Sequence, residues 1–515
     1  MTGGPTTAPV VVVGAGPTGL TAACLLATHG IDCVVVERRQ DVHPLPRAVH
    51  LDDEVYRILQ SAGAAAEFGP SGRAAHGLRL VNPRGRVLME FARDRAVGHS
   101  GWRETTMFDQ PDLERALRRA LTGHPGAQVL EGAVVEAITP GTDGAVVSVR
   151  RGSGASDALH ARYVLGCDGA SSAVAEAIGG GWRDLRFTQE WLVVDVRTSR
   201  EVPMWPGVHQ VCAGSHASTF MRIGADRYRW EFRLPTDPGS EPDALWALGE
   251  IRKSLPGNGD IEVVRTARYR HAARVARRWR AGPLFILGDA AHLTPPFIGQ
   301  GLGAGQRDAM NLTWKLAAVL DRRADDRLLD SYQTERARHV LRSVVAATAI
   351  GRAMSIEPGP GRVAVDAVLR GLGGAPGAAT IGPRLIYPRL GRERLPARER
   401  IRRRSGRLGA LFPQFVLRSG PDGEMVTGSD DVLGLGPVLV HDGRFTDELA
   451  DHADVVGART VAVGEFGPAA DQLTEWLRSG HLNAVLVRPD RVIAAVESTS
   501  GRVTAFRTWA FRTRS

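Results

Sequence analysis

Lysine is nearly missing from this chain. Only Lys253 and Lys315 occur in 515 residues, so the formal charge of +9 rests on arginine. The arginines are spread along the whole length rather than gathered in one patch, which reads as a solvated basic surface and excludes a nucleic-acid partner. Cysteine is scarce as well. Cys24, Cys33, Cys167 and Cys212 show no C-x-x-C spacing, and no His/Cys cluster has zinc-ligand spacing. That removes a disulfide framework, a redox pair and a bound metal from consideration. So few thiols fit a reducing compartment, and a cytoplasmic protein is expected. Long apolar runs are also lacking. Residues 2–28 carry no charge, yet Val10–Val13 is short, glycines and prolines interrupt the rest, and no basic segment precedes it. Neither a signal peptide nor a membrane span is expected.

What is present is an ordinary globular composition, 43% apolar and 23% charged, in a chain long enough for two or three domains. The stretch VVVVGAGPTGLTAACLLATHGIDCVVVE, residues 10–37, reads as strand, turn, helix, strand. Val10–Val13 is the first strand, 18–28 the helix and Val34–Val36 the second strand. Gly14, Gly16 and Gly19 form G-x-G-x-x-G, with Pro17 and Thr18 at the helix start. In such a turn the first glycine makes the bend, the second admits a pyrophosphate and the third lets helix and strand pack closely. The helix N-terminus favours phosphate. Glu37, followed by Arg38, ends the next strand, where an acid meets a ribose diol. The motif indicates a dinucleotide, and both FAD and NAD use it.

Two later stretches share one design. YVLGCDGASSAV, residues 163–174, runs from an apolar strand through Asp168-Gly169 to a helix start at Ser171 or Ser172. FILGDAAHLTPPFIGQGLGAGQRDAMNL, residues 285–312, ends a strand at Gly288-Asp289 and continues through Pro295, Pro296 and Phe297. Gly299, Gly301, Gly303 and Gly305 follow, with Leu302 among them. Glycines of this kind expose backbone N–H groups to something electron-rich.

With these three elements in this order, the chain resembles the class A flavoprotein aromatic monooxygenases. It looks most like the 3-(3-hydroxyphenyl)propionate hydroxylase branch, which is close to the hydroxylases that tailor aromatic polyketides. The likeness covers residues 8–350 well and the tail more loosely. It implies FAD as cofactor, NADPH or NADH as electron donor, and hydroxylation of a small aromatic phenol by O2 through a flavin C4a-hydroperoxide. It implies flavin contacts from Gly14, Gly16, Pro17, Thr18, Gly19, Glu37, Arg38, Arg47, Gln110, Asp168, Asp289, Pro296, Gly299, Gly301, Leu302 and Gly303. Pro296, Phe297 and Arg47 are expected beside the reacting edge. One departure concerns the nicotinamide site: the family carries an arginine near Val174, and here Ala175 and Glu176 follow. Other readings are a tailoring oxygenase acting on a multi-ring product and a non-hydroxylating FAD oxidoreductase. A flavin halogenase is disfavoured because W-x-W-x-I-P is absent.

The expected architecture is α/β: a Rossmann-like FAD-binding domain in two parts, residues 1–185 and 276–390. Residues 186–275 are expected as an inserted antiparallel substrate sheet, and 391–515 as a thioredoxin-like domain without redox cysteines. Strands are expected at 208–212, 217–223 and 227–234, with Trp230 and Phe232 on one face and Arg229 and Glu231 on the other. Helices are expected over 109–123 and 306–355. Residues 356–390 are rich in Gly and Pro, and 389–407 read as a basic linker or exposed helix. In the tail, strands at 437–440, 460–463, 484–487 and 491–496 alternate with helices near 445–453 and 468–479. A homodimer is compatible with the sequence. No residue is an obvious phenol base. His50, His99, His216 and His292 qualify by chemistry, but each is expected to be structural, and His292 to contact backbone.

Overall fold

The structure is a computed structural model. It describes residues 6–43, 48–152, 154, 156–224, 226–235, 244–254, 261–373, 407–419 and 425–505. Five parallel strands form the spine of the first unit. Their spatial order is Leu284–Ile286, Ser156–Gly166, Thr6–Val13, Cys33–Glu37 and Ala127–Glu131. Val10, Val11 and Val12 are fully buried. A strand covered on both faces has no place for polar side chains, which is why its sequence is a plain β-branched run. The helix Pro17–Thr28 leaves the first strand directly, and the amphipathic helix Gln110–Thr122 packs beside it.

An eight-stranded sheet lies over the carboxyl ends of that spine. Its long strands Trp182–Arg197 and Glu262–Ala276 run out from the first unit and back. Arg227–Arg233, Ser218–Arg222 and Val208–Val211 extend it by antiparallel pairing. The sheet reaches beyond the span 186–275 expected from sequence. Val208–Val211 pairs in parallel with Gly77–Val81, which pairs with Val87–Ala92, so a hairpin from the first hundred residues completes it. No local pattern in 77–92 announces a partner more than a hundred residues away.

Alternation separates the two faces of this sheet. Leu192, Val194, Tyr228, Trp230 and Phe232 bury against Ala247 and Ile251 of the helix Ala244–Ser254. Val193, Arg229 and Glu231 face the first unit.

The expected helical stretch 306–355 is two helices, Gly301–Leu320 and Asp330–Met354. The chain turns between them, with Arg322 at φ 58° and Asp325 accepting a hydrogen bond from the Arg327 N–H. Within the Gly/Pro-rich stretch, Pro360–Gly373 is a further helix. Of the basic segment 389–407, all but Arg407 lies outside the described residues.

The last unit holds a five-stranded sheet in the order Arg459–Ala462, Val438–His441, Leu482–Val487, Ile493–Ser498, Val503–Ala505. Helices Asp447–Val455 and Ala470–Ser479 pack on it. Among the described residues, two buried ionic contacts join it to the first unit. Arg57 Nε donates to Asp430 at 2.7 Å. Arg488 donates to both oxygens of Glu335, at 3.0 and 2.9 Å. No helix among the described residues is long and apolar enough to cross a membrane.

Candidate active site

The glycine turn is built by close contact. Gly14 donates its N–H to Val36 O at 2.8 Å and sits at φ 100°, where a Cβ would lie 2.6 Å from Cys167 O. A Cβ on Gly19 would lie 1.9 Å from Gly14 O. A Cβ on Gly16 would meet nothing within 4 Å, because this glycine faces an open cavity. Glu37 props the turn from the next strand. Its Oε2 accepts from Ala15 N–H at 2.8 Å and its Oε1 from Arg39 N–H at 2.9 Å.

The second element is a helix cap. Asp168 Oδ2 accepts from Ala173 N–H at 2.8 Å, whereas Oδ1 is buried without a hydrogen-bond partner. Burial pushes its pKa upward. The neighbouring Cys167, Gly169 and Ala170 line the cavity.

The third element begins at the strand Leu284–Ile286. A single 3-10 turn, Gly288–Ala290, presents Asp289 to the cavity beside Gly16 and Thr18. Pro296 lines the wall. Phe297 is 1% exposed and packs against Trp191 and Phe187, with ring centroids 5.6 and 5.9 Å away. Gly299 then takes φ 63°, and the helix starts at Gly301 with Gly301 and Leu302 on the cavity wall.

A buried charge network anchors this loop. Asp308 accepts from Arg336 Nε at 2.7 Å and from Gly288 N–H at 3.1 Å, and its Oδ2 lies 2.7 Å from His292 Nε2. Burial alone would raise the Asp308 pKa, but Arg336 and His292 hold it below the usual carboxylate value.

The cavity between these elements and the eight-stranded sheet measures about 660 Å³. From the sheet, Gln210, Thr219, Met221, Glu231, Tyr269 and His271 reach its wall. Burial lowers the pKa of His271 to about 4 and leaves its Nε2 without a partner. Burial also lowers His50 to about 4, and its Nδ1 stands 3.4 Å from Gly299 O.

The profile described as "FAD binding domain" matches residues 7–347. This chain belongs to that FAD-binding family. The flavoprotein is 32% identical over 504 residues to a probable NADH-specific resorcinol 4-hydroxylase of Rhodococcus jostii, covering 93% of this chain and 90% of that one. It is 30% identical to a 3-(3-hydroxy-phenyl)propionate/3-hydroxycinnamic acid hydroxylase of Burkholderia vietnamiensis, covering 97% and 96%. Among solved structures, aklavinone-11 hydroxylase in complex with FAD and aklavinone superposes with TM-score 0.75 at 25% identity, covering 98% and 96% of the two chains. The rebeccamycin biosynthetic enzyme RebC, 22% identical with TM-score 0.74 over 95% and 96%, shares the fold.

In this flavoprotein the residues singled out from sequence fall into two groups, with Arg38 and Arg47 apart. Gly16, Pro17, Thr18, Gln110, Asp289, Pro296, Phe297, Gly299, Gly301 and Leu302 all line the one cavity. Gly14, Gly19, Glu37 and Asp168 stand one layer behind that wall and shape it through the contacts above. Gly303 is also behind it, with an added Cβ only 2.7 Å from Arg307 Nη1. Arg38 is exposed and does not line the cavity. Arg47 lies outside the described residues. Gln110 bridges two segments: its Oε1 accepts from Ala48 N–H at 2.9 Å and its Nε2 donates to Glu114 at 2.7 Å.

One histidine departs from its expected contact. His292 meets the Asp308 carboxylate rather than backbone, because the loop turns its ring inward onto the following helix. His99 and His216 do not line the cavity, and His50 does. Sequence reasoning missed His271, Gln210 and the cavity role of Glu231. Period-2 alternation put Arg229 and Glu231 on one face, but the sequence did not say which face met the flavin unit.

Proposed function

We propose that the protein is an FAD-dependent monooxygenase that hydroxylates a single-ring phenol with O2 and NADH. One observation carries this: a single cavity is bounded on one side by three flavin-type segments and on the other by a polar sheet face. The residues fit the cofactor on their own chemistry. The open wall at Gly16 leaves room for a pyrophosphate at a helix N-terminus. Glu37 would hold the ribose diol and Asp289 the ribityl hydroxyls. The N-terminus of Gly301–Leu320 would stabilise negative charge at the pyrimidine end of the ring.

Bound flavin would supply hydride acceptance and oxygen activation, which no side chain here can perform. The chain's own residues do the rest. Pro296 and the packed Phe297 close the wall against water, and the sheet face orients the substrate. The relatives named as hydroxylases of resorcinol and of 3-(3-hydroxy-phenyl)propionate favour one arene over a fused multi-ring product. The relative named as NADH-specific favours NADH over NADPH.

The finer architecture belongs to the same reading. The eight-stranded sheet is the substrate domain. The terminal α/β unit is thioredoxin-like without redox chemistry, since none of the four cysteines falls in it. The setting is cytoplasmic, and a homodimer is admitted. The test is to purify the protein, record its visible spectrum, and screen mono- and dihydroxybenzenes for stimulated NADH oxidation, O2 uptake and hydroxylated product. A colourless protein that takes up no flavin overturns the proposal, and so does NADH oxidation without hydroxylated product.

A further inference from the structure

The hydroxylase reading leaves unassigned the groups that receive the substrate's own hydroxyls. The cavity face of the sheet supplies two. Gln210 is 2% exposed, and its Nε2 donates to the Phe297 carbonyl at 2.8 Å, which fixes the amide's orientation. Its Oε1 is buried without a hydrogen-bond partner, and the residue lines the cavity. Burying an acceptor without a donor is costly, so an unpartnered acceptor on a cavity-lining side chain marks where a small shift of the amide would meet a ligand's donor.

Glu231 stands in the same cross-strand row, since Gln210 pairs with Thr219 and Thr219 with Glu231. Its carboxylate is not in hydrogen-bond contact with the nearest cation. Arg229 Nη1 is 3.8 Å from Glu231 Oε1, and that guanidinium is gripped by Asp195 at 2.6 and 2.9 Å. Two strand spacings, roughly 10 Å, separate the backbones of Gln210 and Glu231, so one hydroxyl cannot serve both acceptors.

Resting on the hydroxylase reading, we propose that Glu231 accepts the proton of one phenolic hydroxyl while Gln210 positions the ring through a second, which makes the substrate class a dihydroxyarene. In the step, the phenol O–H bond breaks and a carboxyl O–H bond forms. The electron pair stays on the ring oxygen and enriches the carbons ortho and para to it. No oxidant is consumed.

The surroundings support the role. Burial raises the Glu231 pKa above the ordinary 4.5; Arg229 pulls it down, Asp195 pushes it up and Arg265 pulls it down. Tyr269 and His271 line the same cavity, and burial keeps His271 neutral near pH 7. A carboxylate with a raised pKa is a better match to a phenol than an ordinary one. Below that pKa the group is neutral and cannot take the proton, so turnover acquires an acid limb.

The experiment uses the FAD-loaded enzyme with resorcinol and phenol, in wild type and Glu231→Gln. Flavin content from the visible spectrum is expected to be equal in both. In Glu231→Gln, kcat for resorcinol is expected to fall about 100-fold or more, with loss of the acid limb and partial rescue in Glu231→Asp. Binding, followed through perturbation of the flavin absorbance, is expected to weaken as pH falls in wild type and to be flat in Glu231→Gln. Resorcinol is expected to bind wild type about tenfold or more tighter than phenol, one added hydrogen bond's worth. Wild-type kcat and an unshifted acid limb in Glu231→Gln overturn the role of Glu231. Equal affinity for phenol and resorcinol overturns the two-hydroxyl assignment. Both results presuppose a wild type that hydroxylates; one that does not instead overturns the function proposed above.

Discussion

The glycine turn makes opposite demands at positions three residues apart, and two alanine variants separate them. At Gly19 an added Cβ would stand 1.9 Å from Gly14 O, and ordinary contact begins at 3.4 Å. The helix Pro17–Thr28 must therefore retreat by about 1.5 Å from a fully buried strand, or the turn must open. Overpacking of this kind costs about 1–3 kcal/mol, and the obstacle here is backbone, which cannot swing aside. At Gly16 a Cβ meets nothing within 4 Å, and φ is −74°, which alanine adopts freely. The apo protein should thus tolerate Gly16→Ala within about 0.5 kcal/mol. The methyl group would, however, occupy the space that brings backbone N–H groups to a pyrophosphate, at a loss of about 100-fold in FAD affinity, or about 2.7 kcal/mol. The assay is thermal unfolding of the flavin-stripped proteins followed by rebinding of FAD through quenching of its fluorescence. Gly19→Ala is expected to lower the apo melting temperature, and Gly16→Ala to leave it unchanged while losing FAD. A destabilised Gly16→Ala apo protein, or one that rebinds FAD at wild-type affinity, refutes the placement of the phosphate at this wall.

Three further outcomes are expected. Asp289→Ala should keep the fold, by circular dichroism, and lose bound FAD, because the residue is exposed at the cavity in a one-turn 3-10 element. Glu335→Ala should destabilise by about 3–5 kcal/mol, since it leaves Arg488 and Lys315 buried without their shared carboxylate, measurable by urea titration. Burial alone would raise the Glu335 pKa, but Arg488 and Lys315 hold it far below 4.5. Its stabilisation is therefore complete above that pH and is lost as pH falls, and Glu335→Gln should flatten this acid-side slope. Phe297→Ala should retain FAD yet divert NADH oxidation from hydroxylated product to hydrogen peroxide, read as the ratio of product to NADH consumed, because it removes the ring packed on Trp191 and Phe187.

The parts of the molecule that are legible in the sequence are those whose chemistry is local. A glycine that must bend at φ 100°, a valine run covered on both faces and a strand end carrying an acid each need a residue type at a fixed spacing. Gly14, Val10–Val13 and Asp289 are therefore readable from the residues alone. The helix Gln110–Thr122 and the strands Val208–Val211, Ser218–Arg222 and Arg227–Arg233 are readable from periodicity. What is not readable depends on partners distant in sequence. The hairpin over residues 77–92 joins the sheet through a parallel pairing with Val208–Val211. His292 finds Asp308 only once the loop has folded onto the helix. Alternation separates the Trp230/Phe232 face from the Arg229/Glu231 face, but does not say which of them meets the site; the aromatic face is the core on the far side. Burying those rings against a helix removes large apolar surface from water, which outweighs any gain from exposing them in a cavity. The charged stripe is left to face the site.

The chain favours arginine almost everywhere, yet Lys315 is fully buried, with its pKa lowered to about 8 by burial, and donates to Glu335 at 3.0 Å. Its ammonium lies 5.7 Å from the Trp314 ring centroid, and the Arg488 guanidinium 5.2 Å from the same centroid. Lys315 rides on the helix that begins at Gly301 on the cavity wall, and Arg488 belongs to the cysteine-free unit. Their shared carboxylate therefore ties the far end of that helix to the terminal unit, while Asp308 and Arg307 fix its near end to the flavin loop and to Asp52. The helix is therefore held by buried charge near both ends, and a dipole held in place stabilises charge at a helix N-terminus without reorganising. The terminal unit is thus tied to that helix through one buried carboxylate shared by Lys315 and Arg488.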